Sequence, residues 1–171
     1  MKKRPRTTND SLRTKKGFTL IEMLIYMGLL SIFLLILTDM FTSVLNIFAQ
    51  TETTSSLEQD SRFITSRLAY DIQRAGSITT PAFGNTQNSL TIVVNSQNFT
   101  YSLTGNDLIL TNNSGSYAIN SNQTKISNLN FTRLGNVGGK NSLKIQFTLT
   151  GTRQESKGVR STNYQTTLNL R

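Results

Sequence analysis

The sequence predicts an α+β protein: one long N-terminal helix packed on a C-terminal antiparallel β-sheet. Three observations lead there. Phe18 to Leu37 is an apolar run in which Glu22 is the only charge, and no Gly or Pro occurs from Leu29 to Ala75. After Pro81 the composition turns to Asn, Ser, Thr and Gly with short alternating apolar runs. The first two describe a continuous helix and the third a set of strands.

Residues 1–17 form a basic leader. Its first sixteen residues hold seven of the chain's 18 Lys and Arg and a single acid, Asp10, so most of the formal charge of +9 sits there. The apolar run that follows would be about 30 Å long as a helix, the thickness of a bilayer core. We therefore read residues 18–38 as a transmembrane helix, with the basic leader on the cytoplasmic side by the positive-inside rule. A cleaved secretory signal would have a shorter apolar region and a small-x-small site. Here Asp39, Met40 and Phe41 follow instead, so the segment reads as retained. Gly28 fits either close helix contact or simple tolerance in lipid. Asp39 falls where headgroups begin and reads as a solvated acid.

Residues 39–76 continue the helix. Leu57, Ile64, Leu68, Ile72 and Ala75 recur at spacings of seven, four, four and three, which puts them on one helical stripe. A helix over 18–75 would be roughly 87 Å long. Gly76 and Thr80-Pro81 read as its stop. The β-rich head, 77–171, is expected to hold strands at Ser89–Val94, Phe99–Leu103, Asp107–Leu110, Ser116–Ile119, Ile126–Leu134, Ser142–Thr150 and Tyr164–Leu170. Turns are expected at Thr104-Gly105-Asn106 and over 135–140. Together the strands predict a single antiparallel sheet with one buried face, covered by the helix stripe.

Composition narrows the chemistry. With no His there is no imidazole base and no histidine-built zinc site; with no Cys there is no thiol nucleophile or disulfide framework. Asp107 and Glu155 are the head's only carboxylates after Gly76, one by a turn and one in a loop, a poor basis for a glycosidase pair. Gly138-Gly139-Lys140-Asn141 has Asn where a phosphate loop needs Ser or Thr, and reads as a turn. The Asn-x-Ser/Thr triplets at Asn98, Asn112, Asn122 and Asn130 are expected from composition alone. We expect no enzyme, cofactor or metal. Asp71 and Arg74 read as a local i, i+3 ion pair without function.

The informative string is Lys15-Lys16-Gly17-Phe18-Thr19-Leu20-Ile21-Glu22 at the start of the apolar helix. It resembles the class III signal of type IV prepilins and pseudopilins. The resemblance implies a pilin-like fold and a prepilin peptidase that cuts after Gly17 and methylates Phe18. It also implies that Glu22 assists assembly with other pilin or pseudopilin subunits at an inner-membrane assembly platform. A carboxylate in a bilayer helix costs about 2.5–3.5 kcal/mol at the centre, so Glu22 needs a compensating role. Residues 68–76, LAYDIQRAG, are similar to the end of the long helix in minor pilins and J-type pseudopilins. Residues 165–171 are similar to their last strand. The absence of a Pro near Asp39 departs from many major pilins.

The implied partners are the peptidase, other subunits, the assembly platform and membrane lipid, with DNA a minor alternative for the head. The implied location is the inner membrane, single-pass, with the leader cytoplasmic and the head outside, and then a pilus or pseudopilus. The rival reading is a single-span, membrane-anchored β-rich binding module that never enters a filament. Intact mass separates the two: a pilin starts at a methylated Phe18, an anchor at Met1 or Lys2.

Overall fold

A computed structural model describes residues 17–135, 141–154 and 158–170. The leader up to residue 16, all but Gly135 of the turn expected over 135–140, Glu155 and Arg171 lie outside them. The chain forms one α-helix, α1 (Leu20–Arg74), and nine strands: β1 (Ser77–Thr80), β2 (Thr86–Gln87), β3 (Leu90–Val94), β4 (Gln97–Thr104), β5 (Asp107–Asn112), β6 (Gly115–Ala118), β7 (Thr124–Leu134), β8 (Ser142–Gly151) and β9 (Ser161–Asn169). The fold is α+β, with the helix packed on antiparallel sheet as expected. The chain divides between Ser43 and Val44 into two compact units.

In the first unit, the helix from Leu20 onward is long and apolar enough to cross a membrane, and none of its apolar window is buried against protein. Its hydroxyls bond within the helix: Ser31 donates to the Met27 carbonyl and Thr38 to that of Leu34, both at 2.8 Å. Such back-bonding satisfies a polar group where lipid offers no partner. Asp39 is exposed.

In the second unit the expected stripe packs on the strands. Leu57, Ile64, Leu68, Ile72 and Ala75 are all buried. The helix ends at Arg74, before Pro81 has any part in stopping it. The Ala75 amide bonds the Ile72 carbonyl, a tightened last turn, and the Gly76 amide bonds Val93, which hands the chain to β1.

The single sheet expected from the strand pattern is two sheets. One has the order β1-β3-β4-β5-β6 and the other β2-β7-β8-β9. All seven expected strands form, with ends shifted by a few residues, and β1 and β2 were not expected. The chain leaves the first sheet after β6, and β7 pairs with β8 and β2 instead of continuing it. Inner faces of both sheets meet α1 in one core, including Leu90, Ile92 and Tyr101 from the first and Ile126, Phe131 and Ile145 from the second. The expected hairpin turn forms, with Gly105, at φ +64°, and Asn106 between the paired Thr104 and Asp107.

β7 buries Thr124 and Ile126, then Leu129, Phe131 and Arg133, so the inward positions change from even to odd. The register shift between Ser127 and Asn130, with Asn128 at φ +52°, produces that change. The buried Arg133 then ties the sheets together. Its guanidinium donates to the carbonyls of Ile78 (2.8 Å) and Pro81 (3.4 Å) and to Asn141 Oδ1 (3.2 Å), and lies 3.7 Å from the centre of the Phe83 ring. Burial pushes its pKa down.

Candidate processing and assembly site

The sequence places the site at the N-terminal end of α1, and the local structure follows from four side chains. Gly17, Phe18 and Thr19 precede the helix in non-helical backbone. Thr19 is the cap: its Oγ1 accepts the Glu22 amide at 3.3 Å, and its carbonyl accepts the Met23 amide at 3.2 Å. Thr followed three residues later by Glu is the capping-box pattern, which satisfies otherwise orphaned donors of the first turn.

Capping fixes where the helix starts and therefore where Glu22 points. Glu22 is the acid of the first turn, the favourable end of the helix dipole for a carboxylate. One turn on, the Tyr26 hydroxyl donates to Glu22 Oε1 at 3.4 Å. The Tyr26 ring in turn meets Phe18 edge to face, with centroids 6.4 Å apart at 81°. Phe18 itself is 73% exposed.

Gly17 stands clear of the other described residues. A Cβ built on it would find no atom within 4 Å. The Gly17–Phe18 bond therefore lies in exposed, non-helical chain, the condition a peptidase needs to bring backbone close. The same clearance means that a side chain at residue 17 would not disturb the fold.

Gly17, Phe18 and Glu22 are thus gathered within the first turn and the residues before it. Thr19 and Tyr26 complete the cluster and were not singled out from the sequence. The signals for them were present: the Thr-x-x-Glu spacing for the cap and the i, i+4 spacing of Glu22 and Tyr26.

The head offers less to chemistry. Asp107 accepts the Asn120 amide at 3.0 Å, and Asn120 also bonds the Leu108 amide and the Thr124 carbonyl. Asp107 is thereby held in a fold-building network. Asp71 does not pair with Arg74. It is buried and accepts Arg67 Nε at 2.8 Å and the Tyr101 hydroxyl, while Arg74 sits 4.7 Å over the Tyr70 ring. Four residues separate Arg67 and Asp71 along the inward side of the helix, whereas Arg74 lies past its edge. No group of three His, Cys, Asp or Glu capable of holding a metal occurs among the described residues.

Compared with known protein families, residues 12–38 match the model described as the prokaryotic N-terminal methylation motif. No curated protein and no solved structure matches the chain. The matched motif supports a type IV pilin-like or pseudopilin protein processed by a prepilin peptidase, and it points to a structural subunit. With the apolar helix, it suggests membrane anchoring and a place in a pilus or pseudopilus.

Proposed function

We propose that this chain is a structural filament subunit, a minor pilin or minor pseudopilin, made as a membrane-held precursor. The observation that carries the reading is the string Gly17-Phe18-Thr19-Leu20-Ile21-Glu22 opening an apolar helix within the matched methylation motif. Residues 1–17 are the leader, 18–38 the span, 39–76 the amphipathic continuation and 77–171 the head. The leader lies in the cytoplasm and the head outside the inner membrane.

A peptidase cleaves after Gly17. The new N-terminal amine on Phe18 is then the methylation site and carries a positive charge four residues before Glu22. In lipid, Glu22 is a costly single charge. In a filament, its carboxylate neutralises a neighbouring subunit's Phe18 amine, so assembly pairs two charges instead of burying one. Thr19 and Tyr26 act as positioning residues: the first sets the start of the helix and the second steers the carboxylate. The remainder of the apolar helix trades lipid for packing against other subunit helices.

Glu22→Ala tests this mechanism. The substitution eases insertion by less than the about 2.5–3.5 kcal/mol that a charge costs at the bilayer centre, whereas leaving one partner of a buried pair alone costs about 3–5 kcal/mol. Membrane residence and cleavage should persist while incorporation into sheared filaments falls. Equal incorporation of wild type and variant at equal expression would remove the role of Glu22.

A further inference from the structure

Four strands form the outer edges of the two sheets, and three of them are short. β1 and β6 have four residues each and β2 has two. The fourth, β9, has nine; it pairs with β8 on one side and, among the described residues, with no strand on the other. Proteins keep sheet edges from accepting another strand by making them short or bulged, or by placing charges or Pro on them. β9 has none of these. Ser161 to Asn169 contains no Lys, Arg, Asp, Glu or Pro, and its register with β8 is unbroken from Thr150↔Ser161 to Ser142↔Asn169.

The two faces of β9 define what an added strand would meet. On the inner face Tyr164 and Leu168 pack against the core yet stay partly exposed, Tyr164 stacked on Phe147 at 5.5 Å between ring centroids. On the outer face Ser161, Asn163, Gln165 and Asn169 each bond the residue opposite on β8, at 2.7, 2.7, 3.1 and 2.7 Å. One face alternates Thr162 and Thr166 with the partly exposed Tyr164 and Leu168, and the other is a ladder of amides and hydroxyls in which Lys144 of β8 stands opposite Thr167.

We propose that β9 is a strand-addition site for an extended segment of a second, non-identical protein. The segment is about nine residues long, with apolar side chains on its inner face and uncharged polar ones on its outer face. The apolar residues cover the exposed parts of Tyr164 and Leu168, and the polar ones extend the ladder. A charged side chain there meets no counter-charge on β9.

A second copy of this chain has the right pattern but the wrong direction. Antiparallel pairing of β9 with itself relates two copies by a two-fold axis through the sheet face. That axis runs the partner's Thr53–Ile72 helical segment the opposite way, whereas the proposed role sets copies of the chain side by side in one orientation. Parallel pairing through the same edge would turn the partner's inner face outward. The exclusion of a second copy rests on the proposed role, while the open edge itself does not.

The test titrates full-length protein in detergent micelles with a labelled synthetic peptide of the β9 sequence, STNYQTTLN. Two further peptides are N-methylated at alternate residues, one at the odd positions and one at the even. Successive N–H groups of a strand point to opposite sides, so edge pairing tolerates one methylation pattern and not the other. The expected result is saturable binding of one peptide per chain. One methylated form should match the parent, and the other should bind at least about tenfold more weakly. No saturable binding up to about 1 mM, or equal behaviour of the two methylated peptides, would overturn the proposal. Full-chain dimers cross-linked through β9 without peptide would assign the edge to a second copy and overturn it too.

Discussion

Asp71 and Tyr101 are both fully buried in the head, and each depends on the other. Asp71 Oδ2 receives Arg67 Nε and the Tyr101 hydroxyl, while its Oδ1 has no partner among the described residues. Burial first, and then the hydrogen bond to the Asp71 carboxylate, push the Tyr101 pKa above its ordinary value of 10.0. The native state thus keeps a proton that the unfolded chain releases above about pH 10. That contribution is present in full below pH 10 and is lost as pH rises beyond it. Tyr101→Phe should therefore lower stability by about 1–3 kcal/mol at neutral pH. The difference between wild type and variant should narrow above pH 10. Urea midpoints of the two across pH 7 to 11 check both statements; a constant gap would contradict the raised Tyr101 pKa. The importance of this pair was not legible in the sequence. Asp71 has an apparent partner in Arg74, and only the strand register reveals that Tyr101 reaches it from thirty residues away.

Among the elements, α1 was the most legible, because one face of a helix repeats in the sequence and needs no knowledge of what it packs against. Its apolar stripe is buried as expected, but the face also buries Thr53, Asp60, Ser61 and Asp71. Asp60 accepts the Ser121 amide and hydroxyl at 2.9 and 2.8 Å and the Thr124 hydroxyl, which pins the turn before β7 to the helix. A periodicity argument reads such acids as solvent-facing, since strand-side partners lie thirty residues on for Asp71 and more than sixty for Asp60. Leu68→Ala should cost about 2–5 kcal/mol, the range for emptying a packed site. Phe63→Ala, on a side chain 55% exposed, should stay within about 0.5 kcal/mol. Thermal unfolding of the two variants distinguishes them, and equal losses would contradict the assignment of the buried face. The strands were legible as units, but the two sheets were not. Strand order is a long-range property, and the bulge at Asn128 breaks the alternation that would have marked the inward face of β7.

At the scale of the whole molecule, the apolar run and the head make separate demands. The core draws on α1 only from Thr53 onward. A fragment beginning at Thr51 should therefore fold in water with mixed helix and strand, free of the membrane-seeking run. Circular dichroism of a random coil, or aggregation of the fragment, would show that the head needs what precedes it. The residues proposed for the N-terminal site, apart from Thr19 and Tyr26, are read directly from the sequence, because they are nearly contiguous and their chemistry is local: a Gly beside a Phe, and an acid one turn into an apolar helix. What the strand pattern did not disclose is the open edge at β9, which exists only once the sheet order is known.

Processing after Gly17 is the premise from which the filament reading proceeds, and intact-mass analysis of the protein extracted from membranes tests it most directly. Wild type should begin at Phe18 and carry one added methyl group. Gly17→Val should keep the leader, although the added side chain has open space around it in the fold. A wild-type mass starting at Met1 or Lys2, or a Gly17→Val protein trimmed to the normal mature size, would contradict the account.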